Sequence, residues 1–247
     1  MGERVRAVLS GEPSLTLSAA LEMPGHPELG REVESGVRVT DDAKAAFATS
    51  EVAIDFATPA ATLLNLRAAA DAGVAYVTGT TGFSTAELQE IESLAARIPV
   101  VHAANFSVSV NVLAWLVEQA ARKLGSGFDA ELFEMHHSAK RDAPSGTALR
   151  LAKAVADGRD QNLEDHLVLE RAGDIGPRPE NAIGVQTLRA GDCPGEHTVL
   201  YVGQGERLEL SHRASTRDHF ARGAVRTAAW LVGRQPGFYR IEDVLGL

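Results

Sequence analysis

The chain has 247 residues, 45% of them hydrophobic and 23% charged, a balance that supports a folded core and excludes a disordered polypeptide. A net charge of −9 disfavours nucleic acid or an anionic membrane as the partner, while a local basic cluster would still admit a small anionic substrate. The single cysteine, Cys193, excludes an intramolecular disulfide and a cysteine-built zinc site; no apolar run reaches the ~18 residues of a membrane span, so a soluble, cytoplasmic protein of one large or two modest domains is expected.

Residues 3–9, ERVRAVL, put Val5, Val8 and Leu9 on one face of a helix. LTLSAAL (15–21), VAIDF (52–56), VAYVT (74–78) and VVHAA (100–104) read as strands: short apolar runs bounded by turn signals, as buried parallel strands are. Between them, 60–72 places Leu63, Leu66 and Ala70 on one helical face, and 84–96 does so with Leu88, Ile91 and Leu94 or Ala95. The second helix opens at Ser84–Thr85 with Glu87 three residues after the serine, the signature of a capping box. This alternation predicts an α/β domain with a Rossmann-like, doubly wound parallel sheet. Such a domain normally opens strand, Gly-rich turn, helix, with an acidic residue about 20 positions later. Glu22 ends LTLSAAL at that spacing from Gly2, so the chain is expected to begin inside the fingerprint, at its last glycine.

From residue 107 the pattern changes. An apolar helix at 108–123 leads to the strand AELFEMHH (130–137), a Ser-Gly-Thr turn opening another helix, and an irregular stretch at 157–182 rich in charge, Gly and Pro. The strand runs IGVQTLRA (183–190), HTVLYVG (197–203) and RLELSHRA (207–214) follow, joined by the short turns GDCPGE and GQGE, which predicts antiparallel neighbours. The second domain, 107–217, is thus expected to be α+β with a mixed or antiparallel open sheet. An amphipathic helix at 218–233 closes the chain, and no internal repeat is present.

The chemistry concentrates in EMHHSAKRDAPSGTA (134–148). Taken singly, its parts are plain: a histidine pair in a loop, the solvated charges Lys140 and Arg141, and a Pro-Ser helix start. Together they set several proton carriers beside a helix N-terminus, whose amides favour a carboxylate. GTTGF (79–83) and AANFS (103–107) each follow a strand directly, where open α/β sheets bind ligands; Asn105 also suits an Asx-turn. His197, His212 and His219 lack metal-ligand spacing and are read as structural or substrate-edge residues, with no metal expected. Cys193, between Asp192 and Pro194 in a turn, is poorly placed for the cysteine nucleophile of a semialdehyde dehydrogenase.

These stretches, with RAGDCPGEH (189–197) and ASTRDHFARGAVRTAAWL (214–231), resemble the 4-hydroxy-tetrahydrodipicolinate reductase (dihydrodipicolinate reductase) family from residue 1 to the C-terminus. The family's opening motif ends Gly-Arg-Met-Gly, matching Met1–Gly2 as the remnant of the phosphate turn. The resemblance implies that 218–247 returns to the first domain, 1–106, and that the chain forms a homotetramer through the second domain's sheet. It implies reduction of a cyclic dicarboxylate by NADH or NADPH, with His136 as acid/base and Lys140 as proton donor. His137, Ser145, Gly146, Thr147 and Arg217 would bind the substrate. Met1, Gly2, Glu22, Gly79, Thr80, Thr81, Ala103, Ala104, Asn105 and Phe106 would line the cofactor; the Phe106 residue type also suits covering the nicotinamide region. Glu22 suits the ribose hydroxyls, and Met23 stands where some members have an arginine for the 2′-phosphate of NADP, which favours NADH. The alternatives are a homologue that binds ligand without turnover, or another two-domain nicotinamide-dependent dehydrogenase.

Overall fold

The computed structural model describes residues 1–247, and the chain divides into two compact units, 1–107 with 218–246, and 108–217. The first unit runs α1 (Gly2–Leu9), β1 (Ala20–Leu21), β2 (Glu32–Glu34), β3 (Val37–Thr40), α2 (Ala43–Ala48), β4 (Val52–Asp55), α3 (Pro59–Ala72), β5 (Ala75–Thr78), α4 (Thr85–Leu94) and β6 (Pro99–His102). The second holds α5 (Val108–Leu124), β7 (Asp129–His136), α6 (Gly146–Gly158), α7 (Leu163–His166), β8 (Leu167–Val168), β9 (Ile183–Arg189), β10 (Glu196–Val202) and β11 (Arg207–Arg213). The chain returns to the first unit with α8 (Asp218–Leu231), β12 (Gly237–Tyr239) and α9 (Ile241–Leu245). No helix is long and apolar enough to cross a membrane.

In the first unit β12, β6, β5 and β4 form a parallel sheet in that order. Alternate side chains serve opposite faces. Tyr76 and Val100 pack with Leu66 and Ile91 of α3 and α4, whereas Val77 and Val101 pack with Ala224, Ala228 and Leu231 of α8. Both faces are therefore covered, which explains the nearly continuous apolar strands. Full burial of each such valine, leucine or isoleucine contributes about 1.5–3 kcal/mol. The Ser84–Glu87 capping box forms, with Ser84 N donating to Glu87 Oε2 at 2.7 Å and Glu87 N donating to Ser84 Oγ at 3.3 Å. Pro59 begins α3, and Gly73 ends it at φ 74°, a left-handed position that favours glycine. In α8, Gly223 lies directly against the Phe106 carbonyl oxygen.

The strand expected over 15–21 is shortened. Only Ala20 and Leu21 are strand, paired in parallel with Val39 and Thr40 of β3 in a separate sheet of order β1-β3-β2. Only the last two residues of β3 lie opposite β1. The β2–β3 hairpin, turning at Gly36 with φ 80°, and α2, capped by Asp42 accepting from Ala45 N at 2.9 Å, complete a region that sequence periodicity left unread.

The second unit's sheet has the order β11-β10-β7-β9-β8 and is mixed. β7 runs parallel to β9 and antiparallel to β10, so β9 and β10, joined by GDCPGE, are not neighbours. The expected hairpin is corrected: the turn steps across the end of β7, two strand spacings of about 4.8 Å each. β10 and β11 do pair antiparallel. α5 and α6 cover one face, closely enough at Gly158 that a Cβ there would strike Glu118 O and lie 2.7 Å from Ala121 Cβ. The irregular stretch contains α7 and β8, and Arg171 and Arg178 fasten it to Glu131 of β7 at 2.6 and 2.9 Å.

Candidate active site

Two turns of the first unit carry residues predicted to meet a cofactor. Both follow the carboxyl ends of adjacent parallel strands, the usual ligand edge of an open α/β sheet. After β5, Gly79 N donates to Asp55 O at 2.9 Å, and a Cβ at Gly79 would run into the Phe56 ring. Thr80 is buried: its hydroxyl meets Thr62 Oγ1 at 2.8 Å, and its carbonyl lies 3.0 Å from His102 Nε2. Thr81 is exposed. Nearby Asp55 accepts from Tyr76 OH at 3.0 Å; burial raises its carboxyl above the ordinary value, against hydrogen bonds from Thr62, Tyr76 and Ala57. After β6, Ala103 N donates to Thr78 O at 3.1 Å, Ala104 is exposed, and Asn105 Oδ1 accepts from Ser107 N at 2.8 Å, the expected Asx-turn.

Phe106 corrects one expectation. Its ring is 1% exposed and packs edge-on against Phe56 at 5.9 Å, so it belongs to the core and does not cover a ligand; only its backbone is left for that purpose. Glu22, just after β1, bonds through its backbone N–H to Thr40 O at 2.9 Å, and its carboxylate accepts from Met23 N at 3.2 Å. Met1 caps α1 and Gly2 begins it; both are exposed.

The second unit gathers the proton carriers at the end of β7. Ala130, Leu132, Glu134 and His136 alternate onto the buried face, and the strand stops at His136. His137 therefore escapes the alternation that would have turned it away from His136; its carbonyl accepts from Lys140 N at 3.1 Å in the following turn. Lys140 Nζ pairs with Asp142 Oδ1 at 2.8 Å. Ser145 N-caps α6, its Oγ accepting from Ala148 N at 3.1 Å, and the same oxygen lies 3.2 Å from His197 Nε2. Ser145 is 2% exposed, whereas Gly146 is exposed and Thr147 half-buried. Ala214 N, three residues before the exposed Arg217, donates to Gly195 O at 3.0 Å, beside the His136 ring.

What holds these groups together is a residue of the same motif to which the sequence alone assigns no role. Glu134, fully buried, accepts from His136 Nδ1 with one oxygen. Its other oxygen accepts from Ser145 N at 3.1 Å, Arg189 Nη2 at 3.1 Å and Thr187 Oγ1 at 3.3 Å. The available signal was its spacing of two from His136 on a strand, which puts both on one face. Burial alone would raise the Glu134 carboxyl; the bonds from Arg189, His136 and Ser145 outweigh that and hold it below the ordinary value. Burial likewise pushes the His136 imidazole below its ordinary value, opposed by Glu134 and aided by Lys140 and Arg189. His197 stands edge-on to His136 at 5.2 Å. Glu134, His136 and His197 are metal-ligand types lying together, but the donor atoms named above are already engaged with one another and with Ser145, a pattern that suits proton handling.

Burial pushes the His197 imidazole down to about 4, with the charge of His136 adding to the shift. Its folded value lies below the ordinary 6.5, so above that pH the group is neutral in both states. Below it, the unfolded chain takes a proton that the folded chain refuses, and stability falls with pH until about 4. Lowering the pH from about 7 to about 5 should therefore cost about 2 kcal/mol through this residue. Glu134 acts with the same sign, in a window below the ordinary carboxylate value. Unfolding midpoints at the two pH values should lie closer together in His197→Gln than in the wild type; an unchanged gap would remove His197 as the cause.

A parallel α/β unit with two turns at the ligand edge of its sheet, joined in one chain to a unit bearing clustered proton carriers, is the organisation of a two-domain oxidoreductase. Residues 1–106 match the family model "Dihydrodipicolinate reductase, N-terminus", and 109–245 match "Dihydrodipicolinate reductase, C-terminus". The chain is 48% identical over 254 aligned positions to the 4-hydroxy-tetrahydrodipicolinate reductase of Desulfotalea psychrophila, covering 100% of this chain and 94% of that one. It is 46% identical over 254 positions to that of Anaeromyxobacter dehalogenans, with the same coverage. Among solved structures, dipicolinate-bound dihydrodipicolinate reductase from Paenisporosarcina superposes with a TM-score of 0.79 at 23% identity, over 97% of this chain and 92% of that one, and so shares its fold. The chain belongs to the dihydrodipicolinate reductase family.

Proposed function

We propose that this chain reduces 4-hydroxy-tetrahydrodipicolinate to tetrahydrodipicolinate in lysine and diaminopimelate biosynthesis, using NADH in preference to NADPH. The observation that carries this reading is the buried joining of His136 to the Ser145 turn in a chain that matches the family throughout. The turns at Gly79–Thr81 and Ala103–Phe106 suit a nicotinamide cofactor, because each offers backbone at the carboxyl end of one of two adjacent parallel strands. The cofactor, when bound, supplies the hydride.

This chain's own residues bind the dicarboxylate and deliver the proton. Gly146 and Thr147 open α6, whose N-terminal dipole favours one carboxylate, with the Ser145 hydroxyl beside it. His137 and Arg217 meet the other, Arg217 with a permanent positive charge. His136 holds a proton at an atom whose basicity burial and Glu134 set in opposite directions, and Lys140 brings a compact positive charge that can donate. The dicarboxylate bound by the Paenisporosarcina relative supports this substrate class. Homotetramer formation through the second unit's sheet is supported by Phe133 and Leu188, 41% and 46% exposed on the face opposite α5 and α6. A cytoplasmic location belongs to the same reading.

The cofactor preference rests on Glu22 and Met23. Met23 is 66% exposed and offers no guanidinium for a 2′-phosphate, while Arg31 is already paired with Glu28. With substrate saturating, kcat/KM should be higher with NADH than with NADPH, and Met23→Arg should raise the NADPH value about tenfold. Equal or better wild-type use of NADPH would contradict this preference.

A further inference from the structure

Glu134 is charged and fully buried, and it faces donors only: the His136 ring, a backbone amide, a hydroxyl and a guanidinium. An ionised carboxylate can only accept, so the hydrogen it shares with His136 sits on Nδ1. From this geometry we propose that Glu134 is the positioning residue of the reduction: it fixes His136 as the Nδ1–H tautomer, presents Nε2 as the working nitrogen, and ties that ring to the first turn of α6. The proposal rests on the reduction described above.

Three further features support this assignment. The two Glu134 oxygens divide their tasks: Oε2 meets His136, and Oε1 meets Ser145 N, Arg189 and Thr187. The proton carrier and the carboxylate-binding turn thus share one rigid support. Arg189 is itself anchored, donating to Asp142 O at 2.6 Å and Leu188 O at 2.6 Å, so the loop after β7 is tied to the same carboxylate. Finally, Gly195, at φ 151°, lies where a Cβ would come within 2.9 Å of His136 Nε2, so its lack of a side chain keeps that nitrogen approachable.

The isosteric change Glu134→Gln separates this role from simple filling of space. Three donors crowd Oε1, so the amide oxygen must stay there and the NH2 must face His136. The ring then has to accept at Nδ1, which moves its hydrogen to Nε2. A neutral ring with the wrong tautomer is a poor proton carrier, and the lost negative charge makes the imidazolium harder to form. The expected result is a fall in kcat of about 10²–10⁴ with KM changed only a few fold. The pH limb that requires protonated His136 should also move to lower pH.

Nitrogen-15 NMR of the histidine rings, with the His136 signals assigned by their loss in His136→Gln, reads the tautomer directly. Nδ1–H in the wild type and Nε2–H in Glu134→Gln are expected. The wild-type spectrum keeps the test decisive even where the variant folds poorly. Turnover by a wild type whose His136 is the Nε2–H tautomer would overturn the role of Glu134 alone. Absence of wild-type turnover would overturn the reduction itself and, with it, the part assigned to Glu134.

Discussion

Lys140→Ala should lower kcat by about 10²–10⁴, the range for loss of a proton donor in the chemical step. Lys140 lies in the turn that leaves β7, its ammonium is held by Asp142 at 2.8 Å, and its charge bears on His136. A lysine so placed has two possible uses. If it only attracts the dicarboxylate, its removal raises KM and leaves kcat nearly intact. If it donates in the transition state, kcat and kcat/KM fall together. The second pattern is expected, because the reduction takes up a proton as well as a hydride and the ammonium can donate one. Steady-state kinetics on the purified variant distinguish the two, and a change confined to KM would demote Lys140 to a binding residue.

Gly223→Ala should destabilise the first unit by about 1–3 kcal/mol or more. In an ordinary helix interior this change stabilises, by roughly 0.5–1 kcal/mol, because alanine loses less backbone freedom on folding. Here the sign reverses. The added methyl would land on the Phe106 carbonyl oxygen, and Phe106 is locked against Phe56 in the core, so neither backbone can give way without disturbing the other. The thermal midpoint should fall by about 2–4 °C for each kcal/mol lost. Cofactor affinity should fall with it, because the displaced carbonyl lies in the Ala103–Phe106 turn. A midpoint that rises would show that α8 is free to shift.

The parallel sheet was legible because its central strands are buried on both faces and therefore read as nearly continuous apolar runs, VAYVT above all. Its helices were legible through caps: Ser84 and Glu87 marked the start of α4 and formed the predicted pair. β1 was read from its apolar run but drawn too long, and β2 and β3 were not read at all, because each is short and only partly covered, so neither periodicity nor apolar content announces it. The partners of β7 were hidden for a different reason. A six-residue turn can join neighbouring strands or step across one, and side-chain contacts decide which. The candidate site was legible as a motif, since histidines, lysine and the Ser-Gly-Thr turn stand close together in the chain. Its organising residues were not, because Arg189 and His197 arrive from β9 and β10, more than fifty residues on, and Glu134 does its work out of contact with solvent.

The most direct test of the account follows reduced-nicotinamide absorbance in the purified 247-residue protein with freshly generated 4-hydroxy-tetrahydrodipicolinate, alongside His136→Ala. Substrate-dependent oxidation by the wild type that vanishes in the variant is the predicted result. A wild type that binds NADH and substrate yet oxidises none would contradict it and leave a ligand-binding member of the family.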